Sequence, residues 1–334
     1  MSSTVTAINT IARWLNYALA IPMISLGIIG ALLTMLIFLG QQSFHRNPTI
    51  LYLLAGAVMT AIHLPTIYLQ SILVDGFYLG LFNTNDIACR ERNYLFYVTT
   101  VAAISYPCWA AFDQYASTHR QADFRYSWSS MRFARFAIFG TVVFWSIIYA
   151  PLIFISRSVN DVCILLDGPL KFIHSFVLTP IVFIMGPLVL IAGFTYGTIR
   201  NLRATAFASR HDRLTKQIRR MVIPQVVILA IFGLPFGVNC LYDDLTSKVQ
   251  KDPLRKAIEH LIQQITRLIY HVIFVSTFYI YLYMSMEMRK VMVRMIRKYF
   301  QPRRIEPLNS YLDKPLTIRR TRLRTSSNAN RFDY

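Results

Sequence analysis

Charged residues are scarce in this chain of 334 residues, and acidic residues are the scarcest of them. Only 15% of the residues are charged, whereas a typical soluble domain has about 25%. Hydrophobic residues make up 54% of the chain, and its mean hydropathy is +0.41. This composition excludes an ordinary soluble domain and predicts a protein that lies largely within a membrane.

Cysteine is also rare. The four cysteines are Cys89, Cys108, Cys163 and Cys240, and no two of them have C-x-x-C spacing. A zinc site is therefore not expected, and neither is any other metal or cofactor. We expect Cys108 and Cys240 to be small packing residues.

Long apolar runs, in contrast, are abundant, and a membrane span needs about 20 mostly apolar residues. Seven runs qualify, at about 17–39, 49–73, 94–117, 133–156, 172–199, 218–241 and 262–285. The sequence therefore predicts an all-α membrane protein. In it, a short extracellular N-terminus at 1–16 precedes a seven-transmembrane helix bundle at 17–286.

Positive charge is concentrated on one side of these predicted spans. That side has 25 of the 35 Lys and Arg residues, and the other side has 10. Because basic loops stay in the cytoplasm, we expect a multi-pass plasma-membrane protein with its N-terminus outside. The basic charge then follows from topology, and nucleic acid is not an expected partner.

The region after the last span divides into two parts. Residues 287–300 place apolar side chains on one helical face and basic ones on the other, which predicts an amphipathic juxtamembrane helix on anionic membrane lipid. Residues 301–334 are rich in Arg, Ser, Thr and Asn, which predicts a disordered basic cytoplasmic tail. Phosphorylation of this tail would recruit an arrestin-like protein.

A cysteine and an acidic triplet mark the two ends of the third span. Cys89 lies at its outer end, and Asp113-Gln114-Tyr115 closes its inner end about seven turns later. This arrangement resembles the third helix of the rhodopsin-like (class A) G-protein-coupled receptors. The chain resembles a divergent member, because Gln114 occupies the place of the family's arginine.

Other switch positions of that family are matched in part. Tyr196 approximates the inner tyrosine of the fifth span, Pro235 matches the proline of the CWxP motif, and Tyr281 matches the tyrosine of NPxxY. The resemblance implies that these residues act with the triplet as a conformational switch. Since Gln114 is neutral, it cannot form the family's ion pair. Asp113 is then either a solvated acid or the partner of a nearby arginine such as Arg120 or Arg125.

The resemblance also implies a disulfide and the loss of an ion site. Cys163, in the second extracellular loop, is the expected disulfide partner of Cys89. Val58, Ala31 and Thr277 occupy positions where the family places the polar ligands of a sodium ion. We therefore expect no sodium site.

The outer ends of spans three and seven supply the candidate ligand-binding residues. Phe96 occupies the place where amine receptors have an aspartate, and span seven has no lysine for retinal. The predicted ligand-binding residues are Phe96, Tyr97, Thr100, Gln264, Arg267 and His271, and the predicted wall also includes Tyr94, Gln263 and Tyr270. Ordinary helix packing is the alternative role for each of them. Asp243 and Asp244 are either receivers of a basic peptide or a solvated loop pair.

The resemblance implies a receptor that binds an extracellular peptide or small molecule and signals to a heterotrimeric G protein. The alternatives are a non-coupling decoy or scaffold receptor and a membrane transporter. The spans have few ionisable residues and no visible inverted repeat, which disfavours transport. His63, His174 and His271 are scattered and lack carboxylates at metal-ligand spacing, which disfavours an enzyme.

Overall fold

A computed structural model describes residues 2–40, 47–67, 85–159, 162–204, 212–246 and 249–300. The predicted disordered tail at 301–334 and the end of the predicted second span lie outside these residues. The α-helices are α1 Ser2–Leu15, α2 Ile21–Gly40, α3 Pro48–Ile67, α4 Asp86–Ser117, α5 Ala122–Trp128, α6 Met131–Tyr149, α7 Leu152–Ile155, α8 Pro169–Ile173, α9 Gly186–Ala204, α10 Asp212–Leu245, α11 Pro253–Met284 and α12 Met286–Phe300. Two strands, β1 Ser156–Val159 and β2 Val162–Leu165, form an antiparallel hairpin.

Seven helical stretches of the described chain are long and apolar enough to cross a membrane. They are Ser3–Gly40, Pro48–Thr66, Asp86–Ser117, Met131–Ile155, Pro169–Leu202, Val227–Leu245 and Pro253–Met284, numbered here as spans one to seven. Short π-helical segments at Asn16–Ala20, His174–Leu178 and Ile181–Met185 connect the α-helices within spans one and five. The prediction of a helical bundle with seven such spans is confirmed.

Several helices extend beyond the predicted spans, because hydropathy does not detect polar helix ends. Span one includes α1, which begins at Ser2 within the segment predicted as a short extracellular N-terminus. The end of the bundle at which Cys89 lies is called the outer end and the opposite end the inner end, after the predicted orientation. Span three starts at Asp86, where the Asn85 side chain accepts a hydrogen bond from the Ile87 amide and caps the helix. Span seven starts at Pro253, well before the predicted residue 262.

The polar start of span seven is held to span six by charged contacts. Glu259 accepts from Lys251 at 2.5 Å, from the Arg255 Nε at 2.8 Å and from the Tyr242 hydroxyl at 2.9 Å. Tyr242 belongs to span six, whereas Arg255 and Glu259 lie on the first turns of α11. The connection between the two spans is therefore fixed by side chains that a hydropathy window excludes.

The large helices form a closed ring. In order of contact around it lie α2, α3, α4, α9, α10 and α11, which returns to α2, and α6 packs against α4 and α3. The central helix is α4, whose buried residues extend from Cys89 at its outer end to Ala116 at its inner end. The residues Met1–Val293 form one compact unit.

Spans one and seven approach closely where span one has glycine. A Cβ atom built on Gly30 would lie 2.9 Å from the Cβ of Phe278, closer than real Cβ contacts come. Gly193, in α9, has no atom within 4 Å of such a Cβ. The packing of α2 on α11 therefore depends on the missing side chain at Gly30.

We expect Gly30→Ala to destabilise the bundle, because overpacking of a well-packed interface costs about 1–3 kcal/mol. Gly193→Ala is the matched control and should leave stability unchanged or raise it by up to about 1 kcal/mol, since alanine favours helix. Thermal unfolding of the purified protein in detergent measures both. An equal effect of the two variants would show that spans one and seven do not meet at Gly30.

Candidate functional site

The outer end of α4 is tied to the β-hairpin that follows span four. A disulfide joins Cys89 to Cys163 with Cα atoms 5.6 Å apart, as predicted. Asn93 donates to the Ser156 hydroxyl at 3.3 Å, and the Asp86 carboxylate accepts from the Ser158 amide at 2.8 Å. These contacts hold the hairpin against the outer end of the central helix.

Below the hairpin, a fully buried histidine lies among three of the predicted ligand-binding residues. The His63 ring centroid is 5.3 Å from that of Phe96 and 5.9 Å from that of His271, which is stacked on it. The His63 Nδ1 is 3.1 Å from the Thr100 hydroxyl, which also donates to the Phe96 carbonyl at 2.6 Å. Spans two, three and seven therefore meet at His63, which the sequence did not single out as a site residue.

A second aromatic cluster surrounds Tyr97. Its ring stacks on Tyr149 of span four at 5.7 Å and meets His174 of span five edge-on at 4.5 Å. The scattered histidines of the sequence thus belong to two clusters at the same end of the bundle. Among the described residues, however, no three His, Cys, Asp or Glu side chains are placed to hold a metal ion.

Five atoms of these clusters are buried without a hydrogen-bond partner in the described chain. They are the Nε2 atoms of His63, His174 and His271 and the hydroxyls of Tyr149 and Tyr270. A buried polar group that makes no hydrogen bond costs about 1–3 kcal/mol. The outer half of the bundle therefore presents several hydrogen-bonding atoms within aromatic surroundings.

The remaining residues of the predicted ligand-binding wall do not all lie in these two clusters. Arg267 donates to Gln264 at 2.5 Å, and both lie on α11 nearer its outer end than His271. Gln263 is exposed, and its place in the wall stays a prediction. Tyr94 donates to the Ser146 carbonyl and so faces span four.

The two aspartates at the exit of span six are half-buried and are not a solvated loop pair. Asp243 accepts from Asn239 at 3.3 Å, and Asp244 is hydrogen-bonded to Ser175 of span five. The Asp244 carboxylate thus helps to hold spans five and six together, whereas the bond to Asp243 lies within α10.

At the inner end of α4, Asp113 is buried and bound by hydroxyls. Only 3% of it is exposed, which contradicts the solvated alternative. Its carboxylate accepts from the Thr49 hydroxyl of span two and, at 2.7 Å, from Ser129, which follows α5. In the described part of the chain it has neither Arg120 nor Arg125 as an ionic partner.

Gln114 belongs to the same network. It is buried, and its Nε2 donates to the Thr49 hydroxyl at 3.1 Å. Its Oε1 is buried and has no partner among the described residues. Thr49 therefore connects Asp113 and Gln114, two of the three residues of the triplet. The sequence analysis did not identify Thr49 as a site residue.

The other predicted switch residues are not brought together. Tyr196 is 70% exposed, and Pro235 is also exposed, so both face outward. Tyr281 is buried beside Phe38 of span one. Tyr115 packs on span five so closely that a Cβ on Gly197 would lie 2.8 Å from its ring. The switch roles inferred for these residues stay predictions.

A small cavity of about 50 Å³ lies between spans two, three, six and seven. Its polar lining consists of hydroxyl groups such as those of Thr60, Ser276 and Thr277. Val58 is 36% exposed and does not face this space, so its comparison with the sodium-binding aspartate was wrong in register. The expectation of no sodium site stays a prediction.

Comparison with known proteins adds no assignment. No protein-family profile matches the chain, and no curated protein sequence matches it.

The unpartnered hydroxyl of Tyr270 generates a stability prediction. We expect Tyr270→Phe to raise the stability of the ligand-free protein by about 1 kcal/mol, because it removes a buried polar group that makes no hydrogen bond. Tyr283→Phe is the matched control, since Tyr283 lies on the same helix and is 79% exposed. Thermal unfolding measures both. A fall in stability for Tyr270→Phe would show that its hydroxyl supports the fold.

For the network around Asp113, removal of a polar group is predicted to lower stability. We expect Asp113→Leu to lower stability by about 2 kcal/mol, because the Thr49 and Ser129 hydroxyls lose their buried acceptor. Asp113→Asn keeps an acceptor and should cost less. Asp123→Leu, at an exposed acid on α5, serves as the control. If Asp113→Leu and Asp123→Leu unfold at the same temperature, the network does not stabilise the inner end of the bundle.

Proposed function

We propose that this chain is a seven-helix membrane receptor of the plasma membrane, with its N-terminus outside. It binds a peptide or small molecule at the outer half of the bundle and signals to a heterotrimeric G protein at its basic inner face. The observation that carries this proposal is the construction of α4. Near its outer end, this continuous helix contacts the two aromatic–histidine clusters, in which five buried nitrogens and hydroxyls lack hydrogen-bond partners among the described residues. At its inner end it carries the buried Asp113–Gln114 network.

The proposed ligand reaches the two clusters beneath the disulfide-linked hairpin. The described clusters supply three imidazole nitrogens and two hydroxyls, all buried and surrounded by aromatic rings. A ligand that inserts a polar group there would make hydrogen bonds that the ligand-free protein lacks. Phe96, Tyr97, Thr100, Gln264, Arg267 and His271 remain the proposed ligand-binding residues, joined now by His63, Tyr149, His174 and Tyr270.

The inner end supports a switch that works without an ion pair. Breaking the hydrogen bond between Gln114 and Thr49 requires no separation of opposite charges. Movement of α4 relative to α3 would then free Asp113 and Gln114 for contact with a partner. The amphipathic character of α12 is consistent with the proposed attachment to anionic lipid, and the proposed arrestin-like partner would bind the tail.

A second candidate is a decoy receptor that binds ligand without coupling. It is favoured by the burial of Gln114, of which only 6% is exposed, and by the absence of the arginine at this position. Both candidates bind ligand at the outer site, and they differ in whether the inner face couples to a G protein. The experiment that distinguishes them therefore changes residue 114.

The deciding experiment reads G-protein recruitment in cells for the native chain and for Gln114→Arg. We expect the native chain to recruit G protein above mock-transfected cells. We expect Gln114→Arg to change that signal, because a buried charge would displace the bond to Thr49. Gln121→Arg is the matched control, since it adds the same charge at an exposed glutamine seven residues further on.

Surface labelling of an N-terminal tag on unpermeabilised cells normalises expression and tests the orientation. A silent native chain together with an active Gln114→Arg variant would establish the decoy. Silence of both variants at normal surface expression would contradict coupling.

A further inference from the structure

A groove of about 880 Å³ lies on the outside of the bundle, between α4, α6 and span five. Its walls are aromatic and include Trp109, Trp128, Phe136 and Phe144. Phe136 is 74% exposed and Phe144 is 54% exposed, so the groove opens away from the helix ring. At Gly140, on the wall formed by α6, an added Cβ would meet no atom within 4 Å. The glycine therefore leaves space that a larger side chain would fill.

Four polar side chains along the groove are already hydrogen-bonded within the protein. The Trp109 Nε1 donates to the Thr141 hydroxyl at 2.9 Å, and the Trp145 Nε1 donates to the Ser105 hydroxyl at 2.9 Å. Both hydroxyls in turn donate to carbonyls of their own helices. The length of the groove therefore offers an occupant apolar contact, which suits an acyl chain better than a polar ligand.

The inner mouth of the groove is basic. Arg125 lies on α5 beside the lining residues Phe124 and Trp128, and Arg132 precedes Phe136 by four residues on α6. Residues four apart share a helix face, so Arg132 continues the line of Phe136 and Gly140 towards the inner end. Both arginines are exposed, and neither forms a salt bridge among the described residues.

The length of the groove matches one leaflet of a bilayer. From Phe136 to Trp145, α6 rises about 14 Å at 1.5 Å per residue, which is about half of a 30 Å hydrocarbon core. The apolar part thus lies at the depth of acyl chains, with the arginines at the depth of headgroups. This match rests on the membrane insertion and orientation proposed above.

We propose that this groove binds an anionic phospholipid of the cytoplasmic leaflet. Its acyl chains lie along the aromatic lining over Gly140, and its phosphate lies at the mouth beside Arg125 and Arg132. Positive charge at the mouth selects an anionic headgroup over a zwitterionic one. A sterol would make no use of these charges.

The test uses the full chain in nanodiscs of phosphatidylcholine with or without phosphatidylserine. Native mass spectrometry after gentle detergent release counts the lipids that stay bound. We expect the native protein to retain phosphatidylserine in preference to phosphatidylcholine. Arg132→Gln should weaken that preference about fivefold, since one basic residue near an anionic surface contributes about that factor. Arg157→Gln, at an exposed arginine of the hairpin, should leave it unchanged.

A second pair of variants tests the groove itself. We expect Gly140→Trp to abolish lipid retention by filling the groove, and Gly193→Trp, also on an open helix surface but outside the groove, to preserve it. Arg132→Gln keeps the proposal testable if Gly140→Trp does not fold. Equal retention of both lipids by the native chain would overturn the proposal. So would retention of added sterol in place of phospholipid, or a two-chain assembly that Gly140→Trp disrupts.

The lipid count does not depend on G-protein recruitment. Failure of the lipid proposal therefore leaves the receptor proposal standing. Failure of G-protein coupling leaves the lipid proposal standing as long as surface labelling shows the proposed orientation.

Discussion

A polar side chain buried between apolar helices must find its hydrogen-bond partner within the bundle, and this requirement organises the structure around α4. In apolar surroundings an unmade hydrogen bond is not replaced by one to water. Two tryptophan bonds, Trp109 to Thr141 and Trp145 to Ser105, connect α4 and α6. The hydroxyl of Thr49 connects α3 to Asp113 and Gln114. These few bonds fix the rotation of α4 relative to its neighbours more specifically than apolar contact does.

Positions where the same requirement is not met are concentrated in the outer half. Tyr149, Tyr270 and three histidines have buried atoms without partners in the described chain, whereas the Nε1 atoms of Trp109 and Trp145 are hydrogen-bonded. Their cost to stability is a reason to treat them as functional, since packing alone would be served as well by phenylalanine. The proposed ligand site and the proposed switch thus occupy opposite ends of one helix and differ in how completely their polar groups are bonded.

The sequence predicted the positions of the helices well, but it predicted less well which side chains face the interior of the bundle. Seven apolar runs located seven spans, and the spacing between Cys89 and the triplet located both ends of the central helix. Helix ends were missed where polar residues continue the helix, as at Pro253, because Glu259 and its basic partners lower the hydropathy there. Val58 and Tyr196 were assigned by motif comparison, yet both face outward. The register of a single helix does not fix its rotation in the bundle, which tertiary contacts decide. His63 and His271 likewise stack on each other although they are far apart in the chain, and no local sequence pattern predicts that contact.

The short helix α5 links the groove to the switch. Trp128 forms part of the groove. The adjacent residue, Ser129, donates its hydroxyl to the Asp113 carboxylate at 2.7 Å. Trp128 also meets Phe112, the neighbour of Asp113 on α4, edge-on at 5.9 Å. An acyl chain against Trp128 would restrict α5 and so keep Ser129 on Asp113, favouring the resting network. Because a ligand can shift an equilibrium only by its differential affinity for the two states, the proposed lipid would modulate the switch only to the extent that the position of α5 differs between them.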